Sequence, residues 1–156
     1  KDLCARLPYG VVCKGVTVDI NVIKDEYENR EVGGLLTNIG YDYCTLGIMT
    51  ECELNTIKPY LRPLSSMTEE EAEQIIKLIC EDSISIDKIN IRQDHFSAKV
   101  DYLIGDPEII TVWFDDIIHY IETFDILNAH HFDYRGLIKK GLALEAPEGM
   151  YNTKSF

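Results

Sequence analysis

The chain has 156 residues, with 27 acidic against 15 basic side chains and a formal charge of −12 at pH 7. That balance excludes a phosphate-tracking nucleic-acid binder, which needs several Lys or Arg gathered on one face. Apolar residues make up 46%, enough for one core, and no apolar run approaches the ~20 residues of a membrane-spanning helix. The expectation is an α+β fold: one compact domain over residues 1–156, mainly antiparallel sheet, with two principal helices.

Residues 1–8 read as a short helix or turn ended by Pro8. After Gly15, Val16, Val18, Ile20 and Val22 alternate with Thr17, Asp19 and Asn21, a half-buried strand over 16–23. The charged run 24–30 suits a hairpin loop. Residues 31–39 return as a second strand, with Gly33-Gly34 marking a bulge or weak point. Residues 41–49 supply a third. Pro59 and Pro63 then forbid a helix or a central strand, so 57–64 is an ordered connector. Thr68 and Glu71 form a capping box, and Ala72, Ile75, Ile76 and Ile79 follow at helical spacing, which predicts a helix over about 69–80. Three strands follow, near 84–91, 98–104 and 108–114, with turns at 92–94 and 105–107. Phe114, Ile117, Ile118, Ile121, Phe124 and Leu127 return to helical spacing and predict the second helix, about 115–131, with Thr123 as a candidate internal break. Gly136 to Lys140 reads as a helical turn stopped by Gly141, residues 142–146 as a last short strand, and 147–156 as a loosely held tail.

Five cysteines, Cys4, Cys13, Cys44, Cys52 and Cys80, make an odd set without a Cys-x-x-Cys pair. That spacing excludes a zinc ribbon and argues for reduced thiols, mostly buried as small apolar groups.

Three strings are distinctive: KPYLRPLSSMTEEE at 58–71, LNAHHFDYRGLI at 127–138 and GLALEAPEGMY at 141–151, with LCARLPYG at 3–10 alongside. Together they resemble an uncharacterised family of small proteins carried by phages and mobile elements of gut Bacteroidales. The resemblance covers roughly a third of the chain and implies an accessory protein in the cytoplasm of the bacterial host cell, in the company of host-takeover and anti-defence proteins. It carries no catalytic residues across.

His119, His130 and His131 invite a metal reading. On one straight helix His119 and His130 would lie ~16 Å apart, and adjacent histidines point ~100° apart. His130, His131 and Asp133 remain the weak metal candidates, and a third ligand would have to come from elsewhere. Asp133 suits a cap on the following turn. Ser65 and Ser66 lack a Gly-x-Ser-x-Gly elbow, and Glu69, Glu70, Glu71, Asp115 and Asp116 read as solvated helix starts. Two basic islands stand out in this acidic chain. Lys58, Tyr60 and Arg62 form one; Tyr134, Arg135, Lys139 and Lys140 form the other. If they met, guanidinium forks and aromatic faces would suit a planar anion.

No motif fixes a reaction, and no cofactor is expected. The leading expectation is a non-catalytic protein that docks on a host or phage protein. The alternative is a small-ligand binder that sequesters a nucleotide-like anion on Lys58, Tyr60, Arg62, Tyr134, Arg135 and Lys139, an arrangement compatible with a homo-oligomer. The third is a metal-dependent enzyme built on His130, His131 and Asp133. Nucleic acid and membrane are not expected partners.

Overall fold

The alternating run at Val16 and Val18 belongs to a long hairpin. The computed structural model describes residues 2–21, 26–48, 50–80 and 84–151, so Val22 and Ile23 of the expected strand lie outside the described residues. Strand β1, Val12–Asn21, pairs antiparallel with β2, Glu26–Ile39, from Val12 opposite Leu35 to Asn21 opposite Glu26. The charged residues 26–30, expected as loop, are therefore strand. Residues 27–30 are exposed, and charge on either face of the ribbon there meets water. Gly33 and Gly34 keep regular register; the shift falls later, between Leu36 and Asn38.

The chain divides into two compact units, Lys1–Leu61 with Ile138–Phe156, and Arg62–Leu137. The first unit holds helix α1, Asp2–Arg6, and a six-stranded sheet. Its strands β3, Tyr43–Leu46, β4, Thr50–Glu53, β5, Lys58–Leu61, and β9, Leu144–Glu145, complete the order β4-β3-β2-β1-β5-β9. Strand β5 overturns the expectation that its proline bars a position between two neighbours. Pro59 pairs only toward β1, opposite Cys13, while the parallel pairing to β9 begins one residue later, at Tyr60. The stagger leaves the missing N–H with no ladder bond to make. Gly15 of β1 marks a close approach, since a Cβ there would lie 2.5 Å from Ile57 Cδ1 and 3.3 Å from Cys52 Sγ. In the last segment, the Tyr151 hydroxyl accepts from Val12 N–H at 3.1 Å and donates to the Tyr60 carbonyl at 2.8 Å. Residues 152–156 of the expected tail lie outside the described residues.

The second unit is helix on sheet. Helix α2, Glu69–Cys80, starts where the capping box places it: Glu71 N–H donates to Thr68 Oγ1 at 3.3 Å, and Thr68 N–H to Glu71 Oε2 at 2.8 Å. Its apolar stripe of Ala72, Ile75 and Ile76 is buried with Phe96, Ala98, Val100 and Val112 of the three-stranded antiparallel sheet. That sheet runs in the order β6, Ile84–Ile91, β7, His95–Tyr102, β8, Glu108–Trp113.

The long second helix does not form. The segment after β8 makes two 3₁₀ turns, Ile117–His119 and Ile121–Thr123, and only then α3, Phe124–Ala129. Tyr120 sits at φ −96°, ψ 82°, outside the helical region, and the Thr123 hydroxyl donates back to its carbonyl at 2.7 Å. Neither Asp116 nor Thr123 caps with its side chain, so nothing nucleates a helix through the β-branched residues between them. The apolar residues keep their core role: Phe114, Ile117 and Leu127 are buried.

Candidate functional site

The helix cap carries more than a helix start. Glu71, expected to be solvated, is 2% exposed. Arg62 reaches it with both guanidinium arms, at 2.6 Å to Oε1 and 3.0 Å to Oε2, and also donates to the Ser66 carbonyl at 2.9 Å. His130 Nδ1 lies 2.7 Å from Oε1. Burial alone would raise the carboxyl's pKa. The bonds from His130, Arg62 and Thr68 outweigh it and hold the group down at about 2. The guanidinium also lies 4.4 Å from the centre of the Phe132 ring. The backbone locks the same strands of chain together: Arg62 N–H donates to His131 O, and Asp133 N–H to Arg62 O, both at 2.8 Å. Two of the distinctive strings, 58–71 and 127–138, thus meet around one carboxylate.

This geometry redistributes the expected site residues. In the second unit, Arg62 is committed to protein acceptors rather than open to a ligand. Tyr134 is buried, stacked on Phe124 at 5.3 Å, with its hydroxyl donating to Asn128 Oδ1. Arg135 is exposed and lies 5.4 Å over the Tyr134 ring. In the first unit, Lys58 is exposed on β5 opposite Lys14, Tyr60 offers its carbonyl to Tyr151, and Lys139 is exposed. Of the metal candidates, His130 is held by Glu71, and Asp133 Oδ1 accepts Leu137 N–H at 2.7 Å as a turn cap. His131 is buried at φ 57°. Among the described residues no three His, Cys, Asp or Glu side chains are grouped to hold a metal ion.

Two open hollows have other linings. One, of about 350 Å³, is framed by Glu69, Glu70, Glu73, Asp87 and Lys88 over Ile86 and Ile89. The other, of about 520 Å³, lies in the first unit at Tyr41, Asp42, Glu53, Leu54 and Asn55. Neither is lined by the six island residues proposed for an anion.

The feature that sequence reasoning missed is the outer edge of β8. Phe114 N–H donates to Asp94 O, so by strand alternation Ile110 and Val112 also face β7 with their peptide groups. Ile109, Thr111 and Trp113 then present theirs outward, away from the sheet. Trp113 O accepts from Asp116 N–H, and among the described residues none bonds to the outward groups of Ile109 or Thr111. The same residues carry an exposed side-chain row: Ile109 is 77% exposed and Trp113 48%. His95 packs 4.6 Å from the Trp113 ring, and its Nδ1 lies 2.7 Å from Asp94, which props the indole. Leu103 and Ile104, in the preceding turn, are also exposed. A signal was present in the sequence. Ile109-Ile-Thr-Val-Trp113 has apolar residues at both parities, more than one buried face requires.

Comparison with known proteins finds no matching family model, no similar curated protein and no similar solved structure. Among the described residues no helix is long and apolar enough to cross a membrane.

Proposed function

We propose that the chain is a non-catalytic accessory protein that acts by binding another protein. One observation carries this reading: β8 is an edge strand with open peptide groups and an exposed Ile109–Thr111–Trp113 row. Edge strands are ordinarily blunted by bulges, charges or a covering element. The opposite edge, β6, follows that rule, with a register shift between Ile86 and Lys88 and charges at Asp87 and Lys88. Between Ile109 and Trp113, β8 has no charge, no proline and no register shift. An edge left open beside a propped tryptophan suits strand addition, in which main-chain bonds give affinity and alternate side chains give selectivity.

The proposed setting is a phage or mobile element of Bacteroidales, with action in the host cytoplasm during takeover or against defence. Its support is the resemblance of the 58–71, 127–138 and 141–151 strings. The test is photo-crosslinking in a Bacteroides host. A photoreactive residue at Thr111 should yield one dominant protein adduct, while the same residue at exposed Gln74 of α2 should not. No adduct from either position, or the same adduct from both, overturns the reading.

A further inference from the structure

The partner's chemistry is written in the charges around β8. The open segment 109–114 is uncharged, but both ends are acidic: Asp106 and Glu108 precede it, and Asp115 and Asp116 follow. All four are exposed, and Glu108 is hydrogen-bonded to the Tyr102 hydroxyl. Lys99, opposite Ile109 on β7, lies 3.6 Å from Asp87 and so is directed at a carboxylate on β6.

A second copy of this chain fits poorly. For two β8 strands to pair with their faces matched, the two-fold must pass through a residue; an axis at Ile110 would set Trp113 opposite Pro107, and only one at Thr111 pairs the whole 109–113 row. That register sets Ile109 against Trp113 of the copy, which is favourable. It also sets Glu108 against Phe114, next to Asp115 and Asp116 of the copy, at both ends. Like charges brought together across strands are destabilising, and each chain already carries −12.

Resting on the protein-binding reading above, we infer that β8 receives an extended segment of a different protein, with an apolar alternating centre and Lys or Arg on both flanks. Because both ends of β8 are acidic, the flanks suit a strand added in either direction. The apolar centre packs on Ile109 and Trp113 while its backbone pairs with the outward groups of Ile109 and Thr111.

Trp113 is the chain's one tryptophan and reports the event directly. The probe is an acetylated peptide, Lys-Lys-Val-Thr-Ile-Thr-Val-Lys-Lys, titrated against the full chain and followed by Trp113 emission. The control replaces every Lys with Glu. The expected result is saturable binding of the basic peptide, weakened about tenfold or more by raising salt to ~0.5 M, and no binding of the acidic one. Thr111→Pro should abolish binding. It removes an outward N–H, and the bonds to β7 come from Ile110, Val112 and Phe114, so the fold should survive. Glu108→Gln with Asp115→Asn and Asp116→Asn should weaken the basic peptide about tenfold while leaving the strand intact. Equal binding of both peptides, or no change in the neutralised variant, overturns the partner class but leaves strand docking standing. No peptide binding alongside a Thr111 adduct in cells also overturns the partner class alone. No binding and no adduct overturns both. A dimer that Thr111→Pro dissociates identifies the occupant as a second copy and overturns the inference.

Discussion

Two buried clusters, one in each unit, deal with titratable groups in opposite ways. In the first unit, Cys44 faces Cys52 across β3 and β4, with Cys13 beside Cys44, all nearly or wholly inaccessible. Burial pushes Cys13 up to about 12, with Cys44 adding to it, and Cys44 up to about 11, with Cys52 adding to it. The thiols are tolerated because they stay neutral. In the second unit, Glu71 is buried as an anion, tolerated because Arg62, His130 and Thr68 surround it. The first cluster resembles ordinary apolar packing. The second is a network whose members depend on one another.

The strongest way to break this contrast is to remove one partner of the ion pair. Arg62→Ala or Glu71→Ala should destabilise the second unit by about 3–5 kcal/mol, because each leaves a buried charge alone. Urea unfolding followed by Trp113 emission measures it. The double variant Arg62→Met with Glu71→Leu should cost less than either single change, and a double cost equal to the sum would show that the groups do not act together.

The next effect is that of pH. Glu71 binds its proton more weakly folded than unfolded, so its contribution is present above the ordinary carboxylate value of 4.5 and is lost as pH falls toward about 2. The loss should be on the order of 3 kcal/mol, read as an acid shift in the Trp113 transition that Glu71→Gln removes. The thiols run the other way. Cys13 and Cys44 hold their protons more tightly folded than unfolded, so stability is full below the ordinary thiol value of 9.0 and falls as pH rises through that value toward about 11 and 12. Melting followed by circular dichroism should show this alkaline loss in the wild type and less of it in Cys13→Ala.

Smaller again is Cys44→Ser, which leaves a hydroxyl in an apolar site and should cost about 1–3 kcal/mol, more than Cys44→Ala. Equal costs would mean that the first cluster is polar after all. Smallest is Thr111→Pro, which should move stability by less than about 1 kcal/mol, because no bond between β7 and β8 is lost.

What could be read from the sequence follows the range of the interactions. The capping box is local, four residues wide, and α2 falls where Thr68 and Glu71 predict. Period-two runs likewise placed β6 and β8, whereas β7, His95–Tyr102, begins three residues before the expected 98–104 and ends two before it. The helix over 115–131 failed because apolar spacing was read without a cap, and Tyr120 and Thr123 break it. Glu71 misled for the opposite reason: its cap was visible, but the partners that bury it lie nine residues upstream and 59 downstream. The basic island at 58–62 hinted at one of them, since Arg62 stands in a stretch without a nearby acid. The pairing of β5 with β9 was out of reach, because it joins residues more than 80 apart over only two pairs.

The order of residues in the two units has a consequence for synthesis on the ribosome. The second unit is one continuous stretch, and its last core members, Phe132 and Tyr134, are translated before β9. The first unit cannot close until Leu144 has reached β5 and Tyr151 has bridged Val12 and Tyr60. The residues translated first therefore finish folding last, and until then the outer side of β5 waits exposed in the nascent chain.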